Sequence, residues 1–472
     1  MTDTVHAFTD DALGDHDAVS LAAELRAGRL DRREVIAAAI DRVNRVNPRL
    51  NAVQAECFDR ARAAAPGDGP FAGVPAFVKD NTDVAGLPTC HGSAAFVPRP
   101  ARRDGDPAAQ FLSAGFVALG KSTLPEFGLT ASTEYADRPP TRNPWNTGHS
   151  AGASSGGSAV LVASGAVPIA HANDGGGSIR IPAAVNGLVG LKPTRCRLLD
   201  QPGVRALPVH LVAEGVLTRT VRDTAHYLAA AERFRPNRDL PPVGLLEGPT
   251  GRPLRIGLIR HDILGRGVHP ETDAVLDSAA RVFAAAGHEV TETRLRVDPG
   301  FVEDFKTYWA LFAVVMSAAF TATHPGSFRP WKLDPFTKGL AGKVLRGPRA
   351  VAPAVRRLRA GTALYDEHFA ELDVMLTPVL SHPAPRIGEH APGQPFPELF
   401  GKLIDYVGFT PFNNVGGGPA ISVPHGLTSG NLPGSVHLSA PRGRERDLLD
   451  LAYQLEAADP FPKITAGAET VA

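Results

Sequence analysis

Two dense glycine and serine clusters carry the groups in this sequence best suited to chemistry: Gly-Ala-Ser-Ser-Gly-Gly-Ser at 152–158 and Asp-Gly-Gly-Gly-Ser-Ile-Arg at 174–180. A serine hydroxyl becomes a useful nucleophile only when a base takes its proton. Glycines beside it let backbone N–H groups approach a developing oxyanion. Flexible linkers share this composition. A linker would not hold Ala159 to Ala163 and Val167 to Ala172, apolar segments suited to a buried helix and a buried strand.

Other residues could compete for the chemistry. Gly148-His149-Ser150-Ala151-Gly152 satisfies Gly-x-Ser-x-Gly, the nucleophile elbow of an α/β-hydrolase esterase, with Ser150 as nucleophile. An elbow needs a strand running into it, and Ser150 instead follows Thr141 to His149, a stretch of turn-forming residues. His91, His149 and His171 lie near the clusters and are expected to be structural. Cys90 and Cys196 sit in no oxyanion-shaped segment and are expected to pack as ordinary thiols. No phosphate loop and no His-Glu-x-x-His spacing occurs, so neither a metal nor a cofactor is called for.

The elements around the clusters read as α/β. Residues 1–65 form an N-terminal helical region: Asp31 and Glu34 make a capping-box pattern before Val35, Ile36, Ile40, Val43 and Val46, and Asn47-Pro48 should end that helix. Across 71–205, short apolar runs (Val74 to Val78, Phe116 to Leu119, Val167 to Ala172) alternate with turns and helical stretches. The Pro-rich stretch Arg235 to Pro253 is either a linker or a surface loop of one large domain. Beyond it come a strand pattern at 254–259, a helix pattern at 272–286 and a second strand pattern at 288–293. Residues 299–360 are helical in texture, and their arginines at 346, 349, 356, 357 and 359 read as a solvated helix face. Strand and turn texture returns from Asp373 to Pro424.

Composition narrows the function classes. The 472 residues are 43% hydrophobic, enough to bury a large core. Lys+Arg and Asp+Glu both number 49, so no global field draws the chain to nucleic acid or an anionic membrane. The start lacks a basic segment followed by an apolar run, and nowhere do 18 uninterrupted apolar residues occur, so a cytoplasmic location is expected. Three scattered cysteines suggest neither a disulfide framework nor a thiolate metal site.

The two clusters, together with Gly73-Val-Pro-Ala-Phe-Val-Lys79-Asp80-Asn81, resemble the amidase signature family. Gly120-Lys121, Arg142 to Trp145, Gly190 to Thr194, Asp373 to Pro378 and Pro411 to Ala420 extend the resemblance over nearly the whole chain. It is nearer to actinobacterial amidases and more distant to 6-aminohexanoate cyclic-dimer hydrolases. The resemblance implies a single domain over 1–472: an α/β fold with a large twisted mixed sheet covered by helices on both sides. It implies a nucleophile at Ser178, a bridging serine at Ser154 behind a cis peptide bond, and a catalytic lysine at Lys79. It also implies an oxyanion hole from the N–H groups of the loop into the nucleophile, Gly175, Gly176, Gly177 and Ser178. Ala153 stands where the family usually has glycine, and Leu432 to His437 departs from the usual Leu-Pro-Ile-Gly-Val-Gln.

Burial at the end of Phe77-Val78 would favour neutral Lys79, with Asp80 turned away from it. Asp174 and Arg180 read as an ion pair shaping the loop, and Ser155 as a network member and as a helix N-cap. The resemblance places the substrate near Glu126 to Ser132, with Leu129 and Thr130 as candidate contacts. Leu129 offers no charge, which favours an apolar or aromatic group. The implied activity is hydrolysis of a small amide, extending to anilides, carbamates or esters. The partner is that small molecule, with no nucleic acid and no membrane, and a homodimer is compatible. The alternative within the family is the glutaminase-type component of a tRNA-dependent amidotransferase, whose characteristic middle segment is absent here.

Overall fold

The apolar runs between Gly/Ser-rich turns become strands of one sheet. The computed structural model describes residues 3–65 and 67–465. In sequence order the strands are β1 (Val53–Glu56), β2 (Pro75–Lys79), β3 (Val117–Ser122), β4 (Ile169–Asp174), β5 (Val189–Lys192) and β6 (Ala213–Thr218). They continue with β7 (Arg255–Leu258), β8 (Glu289–Glu292), β9 (Val374–Thr377), β10 (Ala420–Leu427) and β11 (Pro433–Ser439). The spatial order is β1-β3-β2-β4-β6-β5-β10-β11-β9-β7-β8. Its pairing is mixed: β3, β2 and β4 run parallel, as do β9, β7 and β8, and antiparallel pairs join the two groups. Helices flank the sheet, which makes this the α/β architecture expected.

The parallel pairing of β2 with β4 matters most for function. Both strands are buried along their whole length. Because they run in the same direction, they end at the same edge of the sheet, where a ligand site typically opens in α/β folds. Lys79 closes β2 and Asp174 closes β4. The helix Gly156–Ala163, buried at every residue, packs beneath and delivers the preceding serines to that edge. Arg235 to Pro253 is a connecting loop between two elements that both join the sheet assembly, the helix Val221–Phe234 and β7.

The N-terminal region departs from the sequence reading twice. The helix Arg32–Leu50 starts as expected, with the Asp31 side chain accepting from the N–H groups of Arg33 and Glu34. It then runs through Pro48 and stops at left-handed Asn51. Asn44, the residue whose carbonyl loses its partner to the proline ring, is exposed, so water satisfies it. The Asn47 side chain meanwhile accepts from Ala52 and Val53 and turns the chain into β1. That strand lies inside a region whose pattern is helical; it forms because β3 offers an antiparallel edge.

Residues 299–360 are helical, as expected: Gly300–Thr323, Pro335–Arg346 and Val351–Arg359. The first of these is long and apolar enough to cross a membrane by composition. Its N-terminal half instead turns Phe301, Phe305, Tyr308 and Ala310 inward. Of the arginines, Arg346, Arg349 and Arg356 are exposed, Arg357 pairs with Asp304, and Arg359 donates to the Pro208 carbonyl.

Candidate active site

Lys79 is fully buried, and its Nζ lies 2.8 Å from Ser154 Oγ, 2.9 Å from Ser155 Oγ and 2.7 Å from Asn173 Oδ1. Burial pushes its pKa down to about 7 from 10.5, against the opposing pull of the Glu214 and Asp174 carboxylates. An amine near neutrality can exchange protons with a serine hydroxyl, which a lysine at its ordinary value cannot do at neutral pH. Asp80 does face away from it: its carboxylate meets Lys121 Nζ at 3.2 Å and accepts from the Cys90 N–H.

Asn173 is a member of the site that the sequence reading misses. Asn81 and Asn173 exchange side-chain hydrogen bonds of 3.2 and 3.0 Å, which fixes the Asn173 amide with its oxygen toward Lys79. A signal for it exists, since Asn81 closes the Lys79 motif and Asn173 precedes the second glycine cluster. Ser155 joins the same network, donating to the Asn173 carbonyl at 3.2 Å. It also occupies the N-cap position of Gly156–Ala163, but its hydroxyl makes no capping bond.

The peptide bond between Ala153 and Ser154 is cis, as the resemblance implied, despite the alanine. Gly128 packs against Ser154 with φ +71, and a Cβ there would lie 2.9 Å from Ser154 Oγ. Only glycine fits that approach. Ser178 sits at the cavity surface, 8% exposed, and its carbonyl accepts from the Ser155 N–H at 3.2 Å. The structure thus brings Lys79, Ser154 and Ser155 within direct hydrogen bonds and tethers Ser178 to them through backbone. The Ser178 hydroxyl itself makes no hydrogen bond among the described residues.

The loop from 174 to 180 is held by a buried ion pair. Arg180 grips Asp174 with two bonds of 2.9 Å, and both side chains are fully buried. Burial alone would raise the Asp174 pKa; Arg180 and the Asn414 amide outweigh it and hold the carboxyl well below the usual range. Asp174 also accepts from the N–H groups of Gly177 at 2.7 Å and Ile179 at 3.1 Å. This corrects one expectation: the Gly177 N–H is engaged by Asp174 and is not directed at an oxyanion. The N–H groups of Gly175, Gly176 and Ser178 have no partner among the described residues. Gly177 has φ +128, and a Cβ there would strike Thr410 Oγ1 at 2.3 Å. Thr410 in turn donates to the Gly176 carbonyl at 2.7 Å.

Arg180 has further partners that sequence reasoning misses: the Thr410 carbonyl, Asn413, Asn414 and His437. Burial and the neighbouring Arg180 keep His437 neutral, its pKa well below the usual value. Because arginine only donates, His437 Nε2 accepts at 3.1 Å, which leaves the ring proton on Nδ1 for Thr377 at 3.0 Å. The departure noted at 432–437 therefore supplies a buttress for the ion pair.

Leu129 and Thr130 both line a cavity that opens beside Ser178. Thr130 turns its hydroxyl onto the Ser132 carbonyl, leaving its contribution largely apolar. The opposite wall is Phe301, Phe305 and Trp309 from the helix Gly300–Thr323, with Phe400 and Leu403 from Phe396–Tyr406. Trp309 Nε1 donates to the Leu129 carbonyl at 3.0 Å, tying the two walls together. The charged residues at the cavity, Asp262 and Arg266, are paired with each other.

The competing residues lie elsewhere. Ser150 is buried against Ser132 and outside the cavity, its Oγ accepting from the Gly152 N–H. His91 packs between the rings of Phe96 and Phe320, and His171 Nε2 lies 3.1 Å from Glu214 inside the core. Cys90 is buried as expected, but Cys196 is not: it is exposed, with φ +63.

The model of the family described as Amidase matches residues 34–449. AmiC of Mycobacterium tuberculosis, named an amidase by inference, is 47% identical over 467 residues, covering 98% of each chain. The 6-aminohexanoate-cyclic-dimer hydrolase of Paenarthrobacter ureafaciens is 35% identical over 94% of this chain and 95% of its own. A solved structure of a 6-aminohexanoate cyclic dimer hydrolase superimposes with a TM-score of 0.84 at 32% identity, covering 96% of this chain and 98% of that one. A bacterial aryl acylamidase structure also gives 0.84, at 26% identity over 96% and 99% of the two chains.

Proposed function

This chain belongs to the amidase family and hydrolyses amide C–N bonds; from that premise we propose that Ser178 is its nucleophile, Ser154 the proton bridge and Lys79 the base. The observation that carries this reading is the buried Lys79 amine, lowered to about 7 and bonded to Ser154 at the edge of the Ser178 cavity.

In this reading neutral Lys79 accepts a proton from Ser154 Oγ as Ser154 takes one from Ser178 Oγ. Ser178 Oγ then bonds to the amide carbon, and the carbonyl electrons move onto oxygen. The N–H groups of Gly175, Gly176 and Ser178 stabilise that oxyanion, a type of contact worth about 10²–10³ in rate per donor. The proton returns through Ser154 to the departing nitrogen, the C–N bond breaks, and Ser178 carries the acyl group. Water, deprotonated by the same relay, releases the acid and restores the serine. Ser155 and Asn173 orient Lys79; Asp174 and Arg180 hold the loop.

The substrate is an amide whose acyl or amine part is apolar or aromatic and packs between Leu129 and Trp309. Support comes from the aromatic wall and the pairing of Asp262 with Arg266, which leaves no uncompensated charge to select a carboxylate or ammonium. The hydrolase and acylamidase neighbours, which act on a cyclic amide dimer and on aryl acylamides by name, agree with this class. Anilides, carbamates and esters of the same shape are further substrates.

The test is a panel of amides, anilides, carbamates and esters with the purified chain alone, paired with a fluorophosphonate whose adduct is located by peptide mass spectrometry. Turnover of an apolar anilide and an adduct on Ser178 are expected. Activity only on glutamine, and only with the ammonia-accepting partner of a tRNA-dependent amidotransferase present, would assign the chain to that alternative, and an adduct on Ser150 would support the esterase one.

A further inference from the structure

The equal numbers of acidic and basic residues in the whole chain conceal a one-sided stretch. Residues 326–360 hold nine lysines and arginines against a single carboxylate, Asp334. Lys343 and Arg357 are neutralised by Glu303 and Asp304. The other seven are exposed and make no ion pair among the described residues.

The same stretch carries the two most exposed large hydrophobic side chains among the described residues, Trp331 at 70% and Leu345 at 78%. In the helix Pro335–Arg346, Phe336 and Leu340 turn inward, while Lys338 and Leu345, two turns apart, share the opposite face. Lys338 Nζ donates to the Trp331 carbonyl at 2.9 Å, which joins the tryptophan to that face. In Val351–Arg359, Ala354 and Leu358 are buried and Arg356 is exposed. Both helices pack on Gly300–Thr323, which supplies the aromatic wall of the cavity. The basic face thus lies on the outside of the helical layer whose inside meets the cavity.

We infer that this face docks on a bilayer carrying anionic lipids, with Trp331 and Leu345 entering the headgroup region and the unpaired lysines and arginines meeting the lipid phosphates. A membrane interface favours this combination on one helical surface, because the apolar groups gain burial while the cations gain the negative surface potential. A second copy of the chain fits poorly, since an isologous contact would press like charges together. A polynucleotide would pair with the cations but leave Leu345 in water. The whole-chain charge, which argues against a membrane partner, averages this patch away. Docking takes no part in bond cleavage; it sets the helical wall of the cavity beside the layer where apolar amides concentrate.

Indole fluorescence of the purified full chain with vesicles tests this, because Trp331 is the exposed tryptophan: Trp145 is buried, and Trp309 is half-buried against Leu129. The chain is expected to co-sediment with mixed phosphatidylcholine–phosphatidylglycerol vesicles but not with phosphatidylcholine alone, and to be released by high salt. Binding should bring a blue shift that Trp331→Phe removes. Arg346→Gln, Arg349→Gln and Arg356→Gln together should weaken binding about 10²-fold, and Leu345→Ser about 10-fold, with turnover of a soluble amide unchanged. Failure of the native chain to bind anionic vesicles, equal binding to neutral ones, binding without the Trp331 blue shift, or native affinity in the triple variant would overturn the proposal. Tighter binding to single-stranded RNA than to the anionic vesicles in the same salt would overturn it in favour of a nucleic-acid partner.

Discussion

The two walls of the cavity are built on opposite principles. The wall carrying Lys79, Ser154 and Ser178 is polar and held in place by hydrogen bonds, and its ion pair alone joins Asp174 and Arg180 to Thr410, Asn413, Asn414 and His437. The facing wall, Phe301, Phe305 and Trp309 with Phe400 and Leu403, meets the cavity through apolar surface. A hydrogen-bonded network fixes atoms to a few tenths of an ångström, which proton transfer requires. Apolar packing tolerates exchange of side chains of similar volume, which lets specificity change without disturbing the chemistry.

Substitutions can break that contrast. Lys79→Arg keeps charge and approximate reach but cannot release a proton near neutrality, so it should lower kcat on an amide by about 10²–10⁴-fold with the fold intact. Arg180→Met, one layer deeper, should be a stability variant first: leaving Asp174 buried and unpaired is expected to cost about 3–5 kcal/mol in denaturant unfolding. Trp309→Ala probes the other wall and should act on KM for bulky anilides by about 10-fold while sparing a small acyl amide. An equal loss on both substrates would mean that the aromatic wall positions Ser178 as well as substrate. Ser150→Ala should be the mildest, with kcat/KM unchanged and stability lowered by about 1 kcal/mol through the lost Gly152 and Ser132 bonds.

The sequence is most legible on the polar wall, because the chemistry there demands particular atoms in short segments: Lys79 at a strand end, serines among glycines. Asn414 and His437 are illegible for the complementary reason. They reach Arg180 from 234 and 257 residues away, and no local pattern announces such a partner. The apolar wall shows in the sequence only as helical texture in 299–360, since aromatic residues at helical spacing look the same whether they face a core or a cavity. Local rules also fail where tertiary structure overrides them: Pro48 has the pattern of a helix stop but lies on a face where water replaces the lost bond, and β1 exists because β3 is there to pair with it. The glycines at 175–177 look like one set of N–H donors, and only the folded loop shows that Asp174 takes one of them.

The central claim, that Lys79 is the base, is tested most directly by the pH dependence of kcat/KM on a neutral amide. The base must be unprotonated to act, and its pKa is depressed to about 7 by burial, so the neutral fraction grows as pH rises. A single ionisation near pH 7 is expected, with activity climbing through it and staying high into the alkaline range. A profile that is flat from acid to alkali, or that falls as pH rises through 7, would contradict Lys79 as the base.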